Sequence, residues 1–72
     1  MVTLDIMQPQ PTLGENARKI REEMGMSVEQ VAIMAKVSRQ TIYNFENGKA
    51  QTLSVLREYL RIYSLYKGVN NG

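Results

Sequence analysis

Residues 38–49 read SRQTIYNFENGK, and the fold turns on which side of this stretch faces inward. On a helical wheel advancing about 100° per residue, Ile42 and Phe45 share one side with Ser38. Gln40, Tyr43, Asn44 and Asn47 then fall roughly opposite, between about 100° and 200° from Ile42, while Arg39 and Glu46 lie on the flank at about 40° to 60°. One side is apolar and suited to burial, and the other carries hydrogen-bonding groups. Ser38 is placed to cap the helix, and Asn47-Gly48 is a pair suited to its C-terminus.

Upstream, Ser27 and Gln30 form a capping box that opens a short helix with Val31, Ala32 and Ala35 on its buried side. Lys36, Val37 and Ser38 then make a three-residue turn into the quoted stretch. Ala32 is small where two helices must approach closely, and its spacing from Ile42 lets both sit in one interhelical seam. This is a helix-turn-helix layout, with helices two and three as its arms. An earlier helix is read from Leu13, Ala17, Ile20 and Met24, which recur on one face, with Gly25 closing it in a left-handed conformation.

Downstream, Thr52 can cap a fourth helix running from Leu53 to Tyr63 or Lys67. It carries two apolar stripes, Leu53, Leu56, Leu60 and Tyr63 on one and Val55, Tyr59, Ile62 and Tyr66 on the other, about 130° apart. One stripe completes the core. The second, assigned here to Val55, Tyr59, Ile62 and Tyr66, is expected to be a homodimer interface, or else to be covered by an N-terminal arm through Val2, Leu4 and Ile6. Residues 1–12 read as that arm, flexible or a short strand, because Pro9 and Pro11 rule out a continuing helix. The domain proper spans 13–68, and 69–72 read as a frayed tail. The expected fold class is all-α, a small bundle of four to five short helices containing a helix-turn-helix.

Composition narrows the function. The chain has 72 residues with no cysteine and no histidine, so the usual thiolate ligands and the commonest neutral-pH base are missing. Ser27, Ser38 and Ser54 have no histidine to activate them, and no glycine-rich phosphate loop is present. No catalytic residue, metal site or cofactor is expected, and the seven acidic residues show no paired catalytic spacing. No apolar run is long enough to span a bilayer, and the N-terminus has no signal-peptide pattern, which makes a cytoplasmic protein the expectation. A net charge of +2 and a sequence pI near 9.2 favour an anionic partner. The placement of charge says more, because Lys36, Arg39 and Lys49 surround the quoted stretch with only Glu46 to offset them.

The exposed face of that stretch suits a major groove. Arginine can donate two hydrogen bonds to guanine, Gln or Asn can match adenine, and Tyr43 could touch a thymine methyl or a phosphate. A merely solvated polar face is the alternative for such a helix in isolation.

The series LGENARKIREEMGMSVEQVA followed by VSRQTIYNFENGK resembles the lambda-repressor-like (Cro/repressor, XRE) helix-turn-helix family over roughly residues 13–60. The resemblance implies double-stranded DNA as partner, binding as a homodimer, and the second arm of the motif in the major groove. It makes Arg39, Gln40, Tyr43 and Asn44 the base readers. Asn47 and Lys49 match phosphate-holding positions, and Ser27, Val28, Glu29, Lys36, Ser38 and Thr41 complete the phosphate-facing set, residues 28 and 29 through backbone N–H groups. Arg21 and Glu46 match an ion pair that ties helix one to the end of helix three. A short fifth helix after a break near Tyr63-Ser64 also fits the family.

Two positions depart from the family pattern. Val28 stands where a glutamine often contacts phosphate, and Lys36 stands at the turn position usually given to glycine. A left-handed lysine would cost roughly 1 to 2 kcal/mol, so a slightly different turn is an alternative. The functional expectation is a repressor of bacterial, phage or mobile-element type, without a sensor domain in these 72 residues. A protein-interaction module of the same fold, such as an antitoxin or a modulator of another regulator working through Tyr59 and Tyr66, is the competing class.

Overall fold

The computed structural model describes residues 2–71, with side chains as far as Val69. Four helices follow in order, α1 (Thr12–Glu23), α2 (Val28–Ala35), α3 (Arg39–Glu46) and α4 (Leu53–Asn71), and no strand occurs among the described residues. The all-α reading holds, and the helix-turn-helix is α2, the turn at residues 36–38, and α3.

Local chemistry sets the helix starts. At α2 the capping box closes both ways, with the Gln30 N–H donating to Ser27 Oγ at 3.1 Å and the Ser27 N–H donating to Gln30 Oε1 at 2.7 Å. Ser38 Oγ accepts from the Thr41 N–H at 3.3 Å to open α3. At α1 the preceding loop supplies the acceptor, Gln10 Oε1, which takes the Gly14 N–H at 3.0 Å.

The first three helices end alike. After each, the amide of a single left-handed residue donates to the carbonyl three residues back, and the amide after it to the carbonyl five residues back. Gly25 (φ 70°) fills that position after α1 and Gly48 (φ 75°) after α3, but after α2 it is Lys36, at φ 59° and ψ 44°. Lysine therefore adopts the strained left-handed turn, and the different turn entertained for it is not used. The closing amides of Lys36 and Val37 still bond to Ile33 O and Ala32 O at 3.2 and 2.9 Å.

The core draws on every helix. Leu13, Ala17, Ile20, Val31, Ile42, Phe45, Val55, Tyr59 and Ile62 are fully buried, and the Tyr59 ring stacks on Phe45 at 5.4 Å between centroids. This overturns the assignment of the α4 stripes. Val55, Tyr59, Ile62 and Tyr66 are not a free dimer face but the inner side of α4, each 0 to 1% exposed. Tyr59 reaches Phe45 and Glu46 of α3, and the Tyr66 hydroxyl reaches Glu23 of α1. Leu56, Leu60 and Tyr63 are only partly buried, and Leu53 is 60% exposed.

The arm is part of this core. Leu4 is 6% exposed, and the Val2 N–H donates to Tyr66 Oη at 3.1 Å, while Tyr66 Oη donates to Glu23 at 3.0 Å. Val2 and Leu4 thus tie the start of the arm to α4 without a strand forming, although Ile6 stays 52% exposed. Helix α4 runs unbroken through Tyr63 and Ser64, so no fifth helix forms among the described residues, and it takes in residues 69–71 of the expected tail. Gly72 lies outside the described residues.

Candidate nucleic-acid interface

Helix α3 is held from behind at its C-terminal end. Arg21 of α1 meets Glu46 through two parallel bonds, Nε to Oε2 at 2.7 Å and Nη2 to Oε1 at 3.1 Å, with the residues only 8% and 5% exposed. The Arg21 Nη1 also donates to the Met26 carbonyl at 3.0 Å, and the Tyr59 hydroxyl donates to Glu46 Oε2. Charge, fork geometry and extra donors together satisfy a carboxylate that burial would otherwise make costly. The Glu46 hydrogen bond holds the Arg21 pKa above its ordinary value, and burial first, then the bond to Glu46, raises that of Tyr59.

Close backbone approach adds to the clamp. A Cβ on Gly14 would run into the Phe45 carbonyl and lie 2.7 Å from the Glu46 carbonyl oxygen. Only glycine lets the start of α1 sit against the end of α3.

With Ile42 and Phe45 buried, α3 turns its other side outward. Of the four sequence-predicted base readers, Gln40 and Tyr43 are exposed and Asn44 half-buried on that side, and Arg39 is exposed on the flank. They are not free-floating. Gln40 Nε2 donates to Asn44 Oδ1 at 3.0 Å, one helical turn on. Arg39 Nη1 donates to Glu29 Oε1 of α2 at 3.1 Å.

The expected phosphate-facing set divides. Lys36 and Ser38 in the turn, and Asn47 and Lys49 after α3, are exposed; Thr41 is half-buried, with its hydroxyl 3.0 Å from that of Ser38. Ser27 is occupied as the α2 cap. Val28 puts its side chain into the core at 7% exposure, which explains an apolar residue where the family often has glutamine. Glu29 turns its carboxylate to Arg39, and its pKa is lowered first by its own backbone N–H and then by that arginine. An ionised carboxylate repels phosphate, so the side chain of Glu29 is not a phosphate ligand.

Two contacts were missed in the sequence. Glu29 and Arg39 stand ten residues apart on different helices, outside any intrahelical pairing rule, and Tyr59 belongs to the stripe expected at a dimer interface or under the arm, not at Glu46. The first became visible only once the turn placed α2 and α3 side by side.

Among the described residues no helix is long and apolar enough to cross a membrane, and no cluster of three or more His, Cys, Asp or Glu is positioned to hold a metal. Comparison with known proteins agrees with the geometry. A helix-turn-helix family model matches residues 18–66. A protein of Methanothermobacter thermautotrophicus, assigned as an HTH-type transcriptional regulatory protein, is 43% identical over 53 residues, covering 68% of this chain and 17% of its own length. One of Methanococcus maripaludis with the same assignment is 38% identical over 61 residues, covering 79% of this chain and 18% of its own length. The chain therefore spans less than a fifth of the curated relatives it matches. No solved structure matches it. From the clamp behind α3, the polar face in front of it and the family match, the chain belongs to the helix-turn-helix family of DNA-binding transcriptional regulators.

Proposed function

We propose that the chain is a sequence-specific repressor that binds a palindromic operator as a homodimer, with α3 in the major groove. The observation that carries this reading is the division of α3 itself: Ile42 and Phe45 are fully buried, while Gln40, Tyr43 and Asn44 fall on the opposite side and Arg39 is exposed on the flank beside them. Arg39 takes guanine, Gln40 and Asn44 take adenine or act as a linked amide pair, and Tyr43 packs on a thymine methyl. Lys36, Ser38, Thr41, Asn47 and Lys49 hold phosphates on either side, and backbone N–H groups at the α2 N-terminus add to them.

Homodimerisation does not use the Val55–Tyr66 stripe, which is core. The apolar residues of α4 left outside are Leu53, Leu65 and Val69, at 60%, 56% and 71% exposure, and these supply surface for a second copy. Burial of Tyr59 and Tyr66 also removes the face on which a protein-interaction module was imagined.

Selection of bound DNA from a random pool tests the reading. A palindromic consensus, with affinity falling steeply as salt rises, is the expected result. Substituting Arg39 or Gln40 by alanine should cost about 1 to 3 kcal/mol on that consensus and relax one base position. Weak binding insensitive to salt would remove the DNA reading, and sedimentation showing only monomer with and without DNA would remove the dimer.

A further inference from the structure

The contact between Glu29 and Arg39 has no role in the DNA reading as stated, and folding does not account for it either. Their side chains remain 55% and 66% exposed, joined by one bond of 3.1 Å. Exposed pairs of this kind contribute little to stability. Their location is more informative. Glu29 lies in the first turn of α2 and Arg39 is the first residue of α3, so the bond ties the start of α2 to the start of α3.

A guanidinium has five N–H donors in a fixed planar fork. One Nη1 bond to Glu29 fixes the plane of that fork and leaves other donors on it for a base edge, where a guanine needs two. An unrestrained arginine at this position has another choice, because a phosphate oxygen accepts from it as readily. The Glu29 carboxylate opposes that choice twice, by holding the guanidinium and by repelling phosphate.

Resting on the DNA reading above, we propose that Glu29 is a positioning residue for base specificity, orienting Arg39 toward a guanine edge and weakening binding to DNA that lacks that guanine. The cost of ordering a long side chain is met before the DNA arrives. The low pKa of Glu29 keeps the carboxylate charged at neutral pH, in keeping with this role. Discrimination gains at the expense of general affinity.

The test compares wild type, Glu29→Ala, Arg39→Ala and the double variant by selection from a random pool, followed by competition between the consensus and its single-base variants. Arg39→Ala should abolish one guanine preference. Glu29→Ala should weaken that same preference about threefold to tenfold, the scale of one side chain's ordering cost, and should raise affinity for random DNA. In the Arg39→Ala background, Glu29→Ala should change no base preference further. Glu29→Gln, which keeps an acceptor but not the charge, should fall between wild type and Glu29→Ala. If Glu29→Ala tightens binding to all sequences alike with the guanine preference intact, or shifts preferences equally without Arg39, the proposal is overturned while the DNA reading stands. A wild-type chain that selects no consensus overturns both. The melting temperature of Glu29→Ala should match wild type, and a large drop would make Glu29 a structural residue and overturn its assignment.

Discussion

Two arginine–glutamate pairs border α3, one behind its C-terminal end and one in front of its N-terminal end. Arg21 and Glu46 are buried, meet through two bonds, and recruit the Met26 carbonyl and the Tyr59 hydroxyl. Glu29 and Arg39 are exposed and share one bond. The same two side-chain chemistries therefore serve different ends. In low dielectric, an ion pair met by two nitrogens and a hydroxyl at its carboxylate fixes where a helix lies, and losing one partner strands the other charge. In water, an exposed pair joined by one bond adds little to stability, and its effect is on what the arginine meets next.

Breaking the buried pair should have the largest effect. Glu46→Ala leaves the Arg21 guanidinium buried without its carboxylate and removes the acceptor of Tyr59, so a loss of about 3 to 5 kcal/mol is expected. Small domains hold roughly 5 to 15 kcal/mol in total. Thermal denaturation should show a much lower midpoint, and DNA binding should weaken because α3 loses its rear support. Unchanged melting together with unchanged DNA binding would sink the role given to this pair.

The buried clamp also depends on the backbone approach at Gly14, and this can be broken without touching any charge. Gly14→Ala must push the start of α1 away from the Phe45 and Glu46 carbonyls. Overpacking of that kind costs about 1 to 3 kcal/mol. Denaturant titration should show the loss, and a neutral result would mean that α1 can slide without disturbing Glu46.

How far the two pairs could be read from the sequence differs in the same physical way. The motif carried α3 almost whole: its cap, its buried Ile42 and Phe45, its outward polar face, and, through the resemblance, its tie to Arg21. Local rules cover these, since periodicity and capping act within a few residues. Helix α4 was harder because two apolar stripes competed for one core, and periodicity has no term for ring size or for what Tyr59 meets across the bundle. Cover of α4 by the arm through Val2 and Leu4 was one of two alternatives, and periodicity could not choose it because Leu4 finds its pocket only after α4 is placed. Glu29 and Arg39 come together through the turn, and no spacing within a single helix announces them.

Tyr59 offers a pH test of the buried pair alone. Its hydroxyl donates to Glu46, and burial raises its pKa above the ordinary tyrosine value. The folded state therefore keeps this proton at pH values where the unfolded chain has released it. Stability from this group is complete below about pH 10 and falls as pH rises beyond, by up to about 1.4 kcal/mol per unit. Tyr59→Phe should lower stability at neutral pH by about 1 kcal/mol, the net worth of a hydrogen bond, and should flatten the alkaline decline. Parallel declines in the two proteins between pH 9 and 11 would count against a buried Tyr59 that keeps its proton in the folded state.

The smallest expected effect lies between the two pairs, at the turn that carries Glu29 toward Arg39. Lys36 sits at φ 59° where α1 and α3 use glycine for the same closure. A left-handed non-glycine residue costs roughly 1 to 2 kcal/mol, and glycine gives part of that back by losing more freedom on folding. Lys36→Gly should therefore raise stability by at most about 1 kcal/mol. If lysine is kept for its charge beside the reading face, the same variant should bind DNA more weakly on all sequences, with a salt dependence reduced by about one ion. Glu29 should still direct Arg39, because the turn keeps its shape. A more stable variant with unaltered base preference and a shallower salt slope would separate the cation's contribution from that of the exposed pair; an unchanged salt slope would leave Lys36 as strain without a contact to offset it.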